Sequence, residues 1–141
     1  MAATPSRAGM PRRSKTFPLD PHQSIIPVDV LLEGPAGRQF VRMALDTGAT
    51  YTMAPASTLR AIGYDLAHPV KRVEFIAAGS VEYRPLIRIH ALQTLGRRLM
   101  NVEVVCHDLP AQSPVRGLLG LNILRHLNLH LDFPHRALRV T

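Results

Sequence analysis

Apolar residues at every second position, broken at short intervals by Gly and Pro, constrain this chain more than any other feature. In "IIPVDVLL" the residues Val28, Val30 and Leu32 alternate, and in "RQFVRMALD" so do Val41, Met43 and Leu45. Period two lines up one face of an extended strand, whereas a helix needs period 3.6. The intervening "EGPAG" supplies Gly-Pro and Ala-Gly steps, which form turns because Gly reaches positive φ and Pro presets φ. The opening unit is therefore a predicted hairpin whose second arm ends at Asp46.

The pattern continues downstream. "YTMAP" predicts a short strand, and "PASTLRAIG" a short helix with Pro55 in its first turn and Gly63 beyond its last. "VKRVEFIAAGSVEYRPLIRIHAL" has two strand-like arms joined by the small residues Ala77, Ala78, Gly79 and Ser80, a long hairpin with a flexible tip. "RRLMNVEVVCHDL" alternates again, and "PAQSP" is a loop. "GLLGLNILRHL" passes from a strand end through Gly120 into a helical turn. In "NLHLDFPHRALRV" the residues Leu127, Leu129, Leu131 and Phe133 share one parity before a turn at Pro134, so the chain ends in strand. The fold class is mostly β, with one or two short helices.

With 141 residues, 46% of them hydrophobic, one domain closes a core without disulfides or metals. The lone Cys106 excludes a disulfide framework within the chain and any multi-Cys zinc site, so a reduced, cytoplasmic setting is expected. Residues 1–23 are rich in Pro, Ser, Arg and Lys and carry too little apolar area to offset ordering, which predicts a basic mobile tail before a domain spanning 24–141. No window approaches the ~18 apolar residues of a membrane span, and the basic start is not followed by an apolar signal region. Pro5, Pro11 and Pro18 interrupt the amphipathic helix that a mitochondrial presequence requires.

A net charge of +7 raises the possibility of a basic, nucleic-acid-associated regulator. Arg7, Arg12, Arg13 and Lys15 cluster in the tail, but the remaining cations are scattered. Only 5% of residues are aromatic and none is Trp, so stacking platforms for single strands are scarce and no specific nucleic-acid partner is expected.

The stretch "ALDTGATYT", Ala44–Thr52, carries the chemistry. Asp before Thr-Gly is a turn former in its own right, because its carboxylate accepts backbone N–H groups two residues on. The preceding "VRMAL" also brings Asp46 toward a partly desolvated position where its protonation is adjustable. Thr47 offers a hydroxyl that can fix a neighbouring loop, and Gly48 removes the Cβ that would block a close-lying substrate.

Further on stands "GLLG", Gly117–Gly120, followed by a short helix. Asp-Thr-Gly-Ala after a strand, paired with Leu-Leu-Gly before a terminal helix and strand, resembles the retropepsin-like aspartic proteases, over about residues 25–141. The resemblance implies a closed β-barrel or sandwich that works as a homodimer on peptide or protein substrates with no cofactor. It implies that Asp46 is the catalytic aspartate, that Thr47 hydrogen-bonds across to the partner loop, and that Gly48 lines the cleft. Ala49 matches the fourth position of the family's loop, and Thr52 a hydroxyl position shortly after. Leu118, Leu119 and Gly120 match the element packed behind that loop, and Ala77–Ser80 the flap tip over bound peptide. Where retroviral relatives carry Arg after the late Gly, this chain has Leu121 and Asn122, so their subunit-joining ion pair is absent. The terminal hairpin is more like that of bacterial members.

Hydrolysis of this kind needs two carboxyl groups sharing one proton. Asp29, Asp65 and Asp132 lack the following Gly that permits close backbone approach. The missing carboxylate is thus expected from Asp46 of a second chain on a two-fold axis. A cleft walled by apolar residues is expected to take extended peptides with apolar side chains near the scissile bond. The alternative is a module of the same fold that binds peptide or dimerises but turns over poorly.

His126, His130 and His135 raise a metal reading, but four residues along a strand span ~13 Å, too far for one ion, so no metal is expected. Cys106 and His107 raise a nucleophile pair, but strand neighbours point to opposite faces.

Overall fold

A computed structural model describes residues 14–141 of the chain. Its strands are β1 (Lys15–Pro18), β2 (Pro27–Gly34), β3 (Gly37–Leu45), β4 (Thr52–Ala54), β5 (Lys71–Ala77), β6 (Ser80–Thr94), β7 (Arg97–Cys106), β8 (Gly117–Leu119), β9 (Leu129–Asp132) and β10 (Ala137–Val140). Helix α1 (Ala56–Ala61) follows β4, and α2 (Leu121–Leu124) follows β8. The predicted strands and both short helices are found where the alternation and punctuation place them.

Six strands in the order β2-β3-β8-β4-β7-β6 close on themselves through pairing of β2 with β6, giving a closed barrel. Closure leaves no unpaired edge in the ring. The alternating side chains of the first hairpin, Val28, Val30, Leu32, Val41 and Met43, turn into it and meet Ile87, Ile89, Val104 and Leu119, all buried. Strand β6 is the longest, at 15 residues, because one of its edges serves two partners in turn while the other pairs with β7. Its far half, Ala91–Thr94, closes the barrel against β2, while its near half, Ser80–Leu86, leaves the ring to pair with β5. The β5–β6 hairpin therefore projects from the barrel.

Strand β8 makes the arrangement unusual. It runs parallel to β3, with Leu45 opposite Leu119, and antiparallel to β4, with Met53 opposite Leu118. A segment from the end of the chain thus separates two strands that are neighbours in sequence. The loop joining β3 to β4, which contains Asp46, has to arch over the end of β8.

The start of the folded region differs from the boundary expected near Ser24. Strand β1 pairs antiparallel with β10, from Lys15 opposite Val140 to Pro18 opposite Ala137. Leu19 beyond it is buried, and its N–H donates to the Arg136 carbonyl at 2.9 Å. Average composition hides two apolar anchors, Phe17 and Leu19, and the waiting edge of β10 offsets the cost of ordering them. Residues 1–13, the remainder of the expected tail, lie outside the described residues. In the three-stranded sheet β1-β10-β9, strand β9 is an edge. The shared parity of Leu129, Leu131 and Phe133 accordingly does not translate into burial: Leu129 is half-buried, whereas Leu131 and Phe133 are exposed.

Near the barrel seam, Arg98 of β7 grips Glu33 of β2 through both guanidinium ends, at 3.1 Å each. That hydrogen bond, aided by the guanidinium charge, holds the Glu33 carboxyl below its ordinary 4.5. The pair's stabilisation is therefore present above that ordinary value and lost as pH falls through the lowered folded one. Arg98→Ala is expected to return Glu33 upward toward 4.5 in a carboxylate NMR titration; an unmoved curve would assign the depression to another group.

Candidate active site

Asp46 stands one residue past the end of β3, partly exposed. Its N–H extends the ladder to the Leu119 carbonyl at 3.0 Å, so the barrel itself sets where the backbone turns. The Ala49 N–H donates to the Asp46 carbonyl at 3.2 Å and closes the turn. The Gly48 N–H donates to Asp46 Oδ1 at 2.8 Å, which fixes the carboxylate by its own loop. Among the described residues, Oδ2 makes no hydrogen bond.

The loop is held from below by the segment after β8. Leu121 N–H donates to the Ala49 carbonyl at 2.8 Å, and Asn122 N–H to the Thr50 carbonyl at 3.2 Å. So close an approach needs Gly120. A Cβ there would lie 2.6 Å from the Tyr51 carbonyl group and 2.9 Å from the Ala49 oxygen, closer than nonbonded atoms approach. Leu118 and Leu119 pair with Ala44 and Leu45 of β3.

Thr52 and Asn122 form the hub of this support. Thr52 is fully buried. Its hydroxyl donates to Asn122 Oδ1 at 3.0 Å and accepts the Gly120 N–H at 3.0 Å. The Thr52 N–H also donates to Asn122 Oδ1, at 2.8 Å, while Asn122 Nδ2 donates to the Glu103 carbonyl at 2.7 Å. Each polar atom in this set has a partner, which fixes the Asn122 amide orientation and satisfies groups that would be costly if left unpaired. Asn122 enters the sequence reading only as a departure after the late Gly. A polar residue inside the apolar run "GLLGLNILRHL" is the signal that marks it, because an amide in such a run needs buried partners.

Beside the loop lies an open cleft of about 470 Å3 that contains Asp46, Gly48 and Ala49. Its floor continues a small second core, Met53, Leu86 and Val105, against which Tyr51, Val73, Phe75 and Leu118 pack. Five of these seven, Tyr51, Met53, Val73, Phe75 and Leu118, also line the cleft, joined by His107 and Leu109. The pocket beside the carboxylate thus sets an apolar patch next to the polar groups of Asp46, Thr50, Glu74 and His107, and the patch is able to take an apolar side chain of a bound chain. Sequence reading missed these lining residues; alternation alone marks them as core, and only the projection of the hairpin opens the core to solvent.

The hairpin turns at Ala78 and Gly79, both with positive φ (51° and 81°), between Ala77 and Ser80 in register. Two left-handed residues make the tight turn suited to a twisted hairpin, with Ala78 accepting strain that Gly79 escapes. Ala78, Gly79 and Ser80 are exposed and do not line the cleft; the hairpin reaches it through Val73, Glu74, Phe75 and Ile76. Thr47 is exposed and, among the described residues, forms no hydrogen bond through its hydroxyl.

Cys106 and His107 diverge as strand neighbours must. The Cys106 side chain is buried in the main core, and burial, then the nearby Asp108, push its thiol up, away from the thiolate form. Among the described residues no group of three or more His, Cys, Asp or Glu side chains is placed to hold a metal ion, and no helix is long and apolar enough to cross a membrane. A larger cavity of about 870 Å3, between β1, the start of β2 and the β9–β10 turn, includes no residue of the Asp46 loop.

Comparison with known proteins agrees with this geometry. The chain is similar in fold to a retropepsin-like aspartic protease from Rickettsia conorii, with a TM-score of 0.67, 14% identity, and coverage of 91% of this chain and 89% of that one. No curated protein sequence matches it. The family model described as aspartyl protease matches residues 28–123, which take in the Asp46 loop, the projecting hairpin, β8 and most of α2. On this match, and with a barrel of the retropepsin-like kind, the chain belongs to the aspartyl protease family.

Proposed function

We propose that the chain is an endopeptidase that hydrolyses peptide bonds with water activated by a pair of aspartates, Asp46 and Asp46 of the partner subunit. The observation that carries this reading is the placement of Asp46: one carboxylate, braced by backbone and by a hub of buried Thr52 with Asn122, in a cleft that also presents apolar side chains. Glu74 also lines the cleft, but it sits on the hairpin, opposite Tyr83, and among the described residues it makes no hydrogen bond to Asp46. A second copy brought up on a two-fold axis supplies an identical loop, and with it the second carboxyl group.

Two carboxyls in contact cannot both ionise easily, so the pair holds one proton between them. The charged member takes a proton from the attacking water while the neutral one hydrogen-bonds the scissile carbonyl oxygen. As the tetrahedral species collapses, the proton goes to the leaving amine. The exposed Thr47 hydroxyl is then available to bond across the axis, and the apolar cleft walls hold the residues flanking the cut. The hairpin, with Ala77–Ser80 at its tip, is suited to close over an extended peptide as a flap.

A site assembled from two chains has a concentration signature. Cleavage per chain is expected to fall on dilution through the dimer dissociation range, in step with the dimer fraction measured by sedimentation or scattering. Constant cleavage per chain in solutions that contain monomer alone would overturn the shared site.

A further inference from the structure

His107 follows β7 directly. Its N–H donates to the Ala54 carbonyl at 3.0 Å, which ties its backbone to the end of β4, on the barrel side of the cleft. The side chain reaches the hairpin. Its imidazole stacks on Phe75 of β5, with ring centroids 5.2 Å apart and planes at 24°. Its Nδ1 accepts the Nε–H of Arg84 on β6 at 3.3 Å, and Arg84 is in turn held by Glu82 at 2.8 Å. Phe75 pairs with Glu82 and Val73 with Arg84, so these four share the hairpin face that meets the barrel.

The chemistry of the Arg84 contact allows only one state of the ring. A guanidinium has donors and no acceptor, so Nδ1 must present a lone pair, and the ring must be neutral with its hydrogen on Nε2. A proton on Nδ1 would set N–H against N–H and one cation against another in a half-buried place. We propose that His107 is a positioning residue that clamps the β5–β6 hairpin to the cleft wall while its imidazole is neutral, and that releases the hairpin when the imidazole takes up a proton.

The groups around the ring are Arg84 and Glu82 on β6, Asp108 next in the chain, and Glu74 and Asp46 along the same cleft. Burial and then the Arg84 charge hold His107 below its ordinary 6.5, outweighing Asp108 and Glu82, which favour protonation. The clamp is accordingly complete above that ordinary value and is lost as pH falls through the lowered one. The link to peptide binding rests on the endopeptidase reading. The clamp itself does not, and hydrogen exchange reads it without any substrate.

The test is amide exchange of the full chain, with protection of residues 71–86 referenced to β3, at about pH 7.5 and about pH 4.5. The parent is expected to lose roughly three- to tenfold in hairpin protection at the lower pH, the scale of one lost hydrogen bond. His107→Gln, whose side-chain oxygen accepts from Arg84 at either pH, should show no such loss, and His107→Ala should be weakly protected at both. A parent hairpin equally protected at both values, or a His107→Gln hairpin that loosens in step with the parent, overturns the clamp. If His107→Ala does not fold, His107→Gln alone decides. Where peptide is cleaved, the acid change should fall on KM more than on kcat and flatten in His107→Gln. Exchange behaving as stated in a protein that cleaves nothing would leave the clamp standing and remove the endopeptidase reading instead.

Discussion

Asp46→Asn is expected to lower kcat/KM for peptide cleavage by between about 10^2- and 10^4-fold, the range of a positioned general acid–base, and toward its upper end. The upper end follows from the symmetry of the proposed dimer, in which one substitution removes both carboxyl groups of the dyad. The fold should be left intact. Asn keeps an Oδ1 acceptor for the Gly48 N–H, and the loop remains tied by the bonds from Leu121 and Asn122.

Mixing makes the test sharper. When equal amounts of parent and Asp46→Asn chains have exchanged subunits fully, only dimers of two parent chains carry both aspartates. Cleavage should then settle at about one quarter of that given by the same total amount of parent chain, because random pairing leaves that fraction intact. A site contained in one chain would instead retain about half. The second value, or a variant that cleaves as fast as the parent, removes the shared dyad.

Thr52→Val has the largest expected effect on stability, about 2–4 kcal/mol, although the two side chains have nearly the same shape. Without the hydroxyl, the buried Gly120 N–H loses its acceptor and Asn122 Oδ1 loses one of two donors. Each such loss in a dry interior costs about 1–3 kcal/mol. For a chain of this size the melting temperature should fall by roughly 8–15 °C. Thr52→Ser is the control, since it keeps the hydroxyl and gives up one buried methyl, at about 1 kcal/mol. Equal melting of the two variants would show that the hub contributes packing and no hydrogen bonding of consequence. Because the same bonds set the height of the loop beneath Asp46, activity should fall further than the unfolded fraction accounts for.

The strands were legible because their evidence is local. "IIPVDVLL" and "RQFVRMALD" announce which side chains share a face before any partner is known, and "EGPAG" announces the turn. Asp46, Gly48 and the "GLLG" segment were legible as a resemblance, and the family match and fold likeness bear out that kinship. The roles assigned to those residues remain the proposal above. Other features left weaker traces. Strand β1 was concealed by the Pro- and Arg-rich stretch around it, since its reason to order is an edge more than a hundred residues away. Asn122 looked like a departure from a family pattern, and its four-bond hub depends on Thr52 and Glu103 arriving from two other strands. Helix α1 receives its first N–H partner from Asp108, at 3.0 Å and far along the chain, so nothing near Pro55 could have indicated it.

The amino-acid order alone settled the strand faces, the turn positions and the identity of a single Asp-Thr-Gly loop, because side-chain direction and turn geometry depend on neighbours along the chain. Folding in three dimensions decided that β8 lies between β3 and β4, that β2 closes on β6, and that Phe75 and His107 face each other beside Asp46. These are meetings of distant segments, selected by which arrangement buries the most apolar surface while leaving the fewest polar groups unpaired. That choice is a property of the whole chain and is written in no single stretch of it.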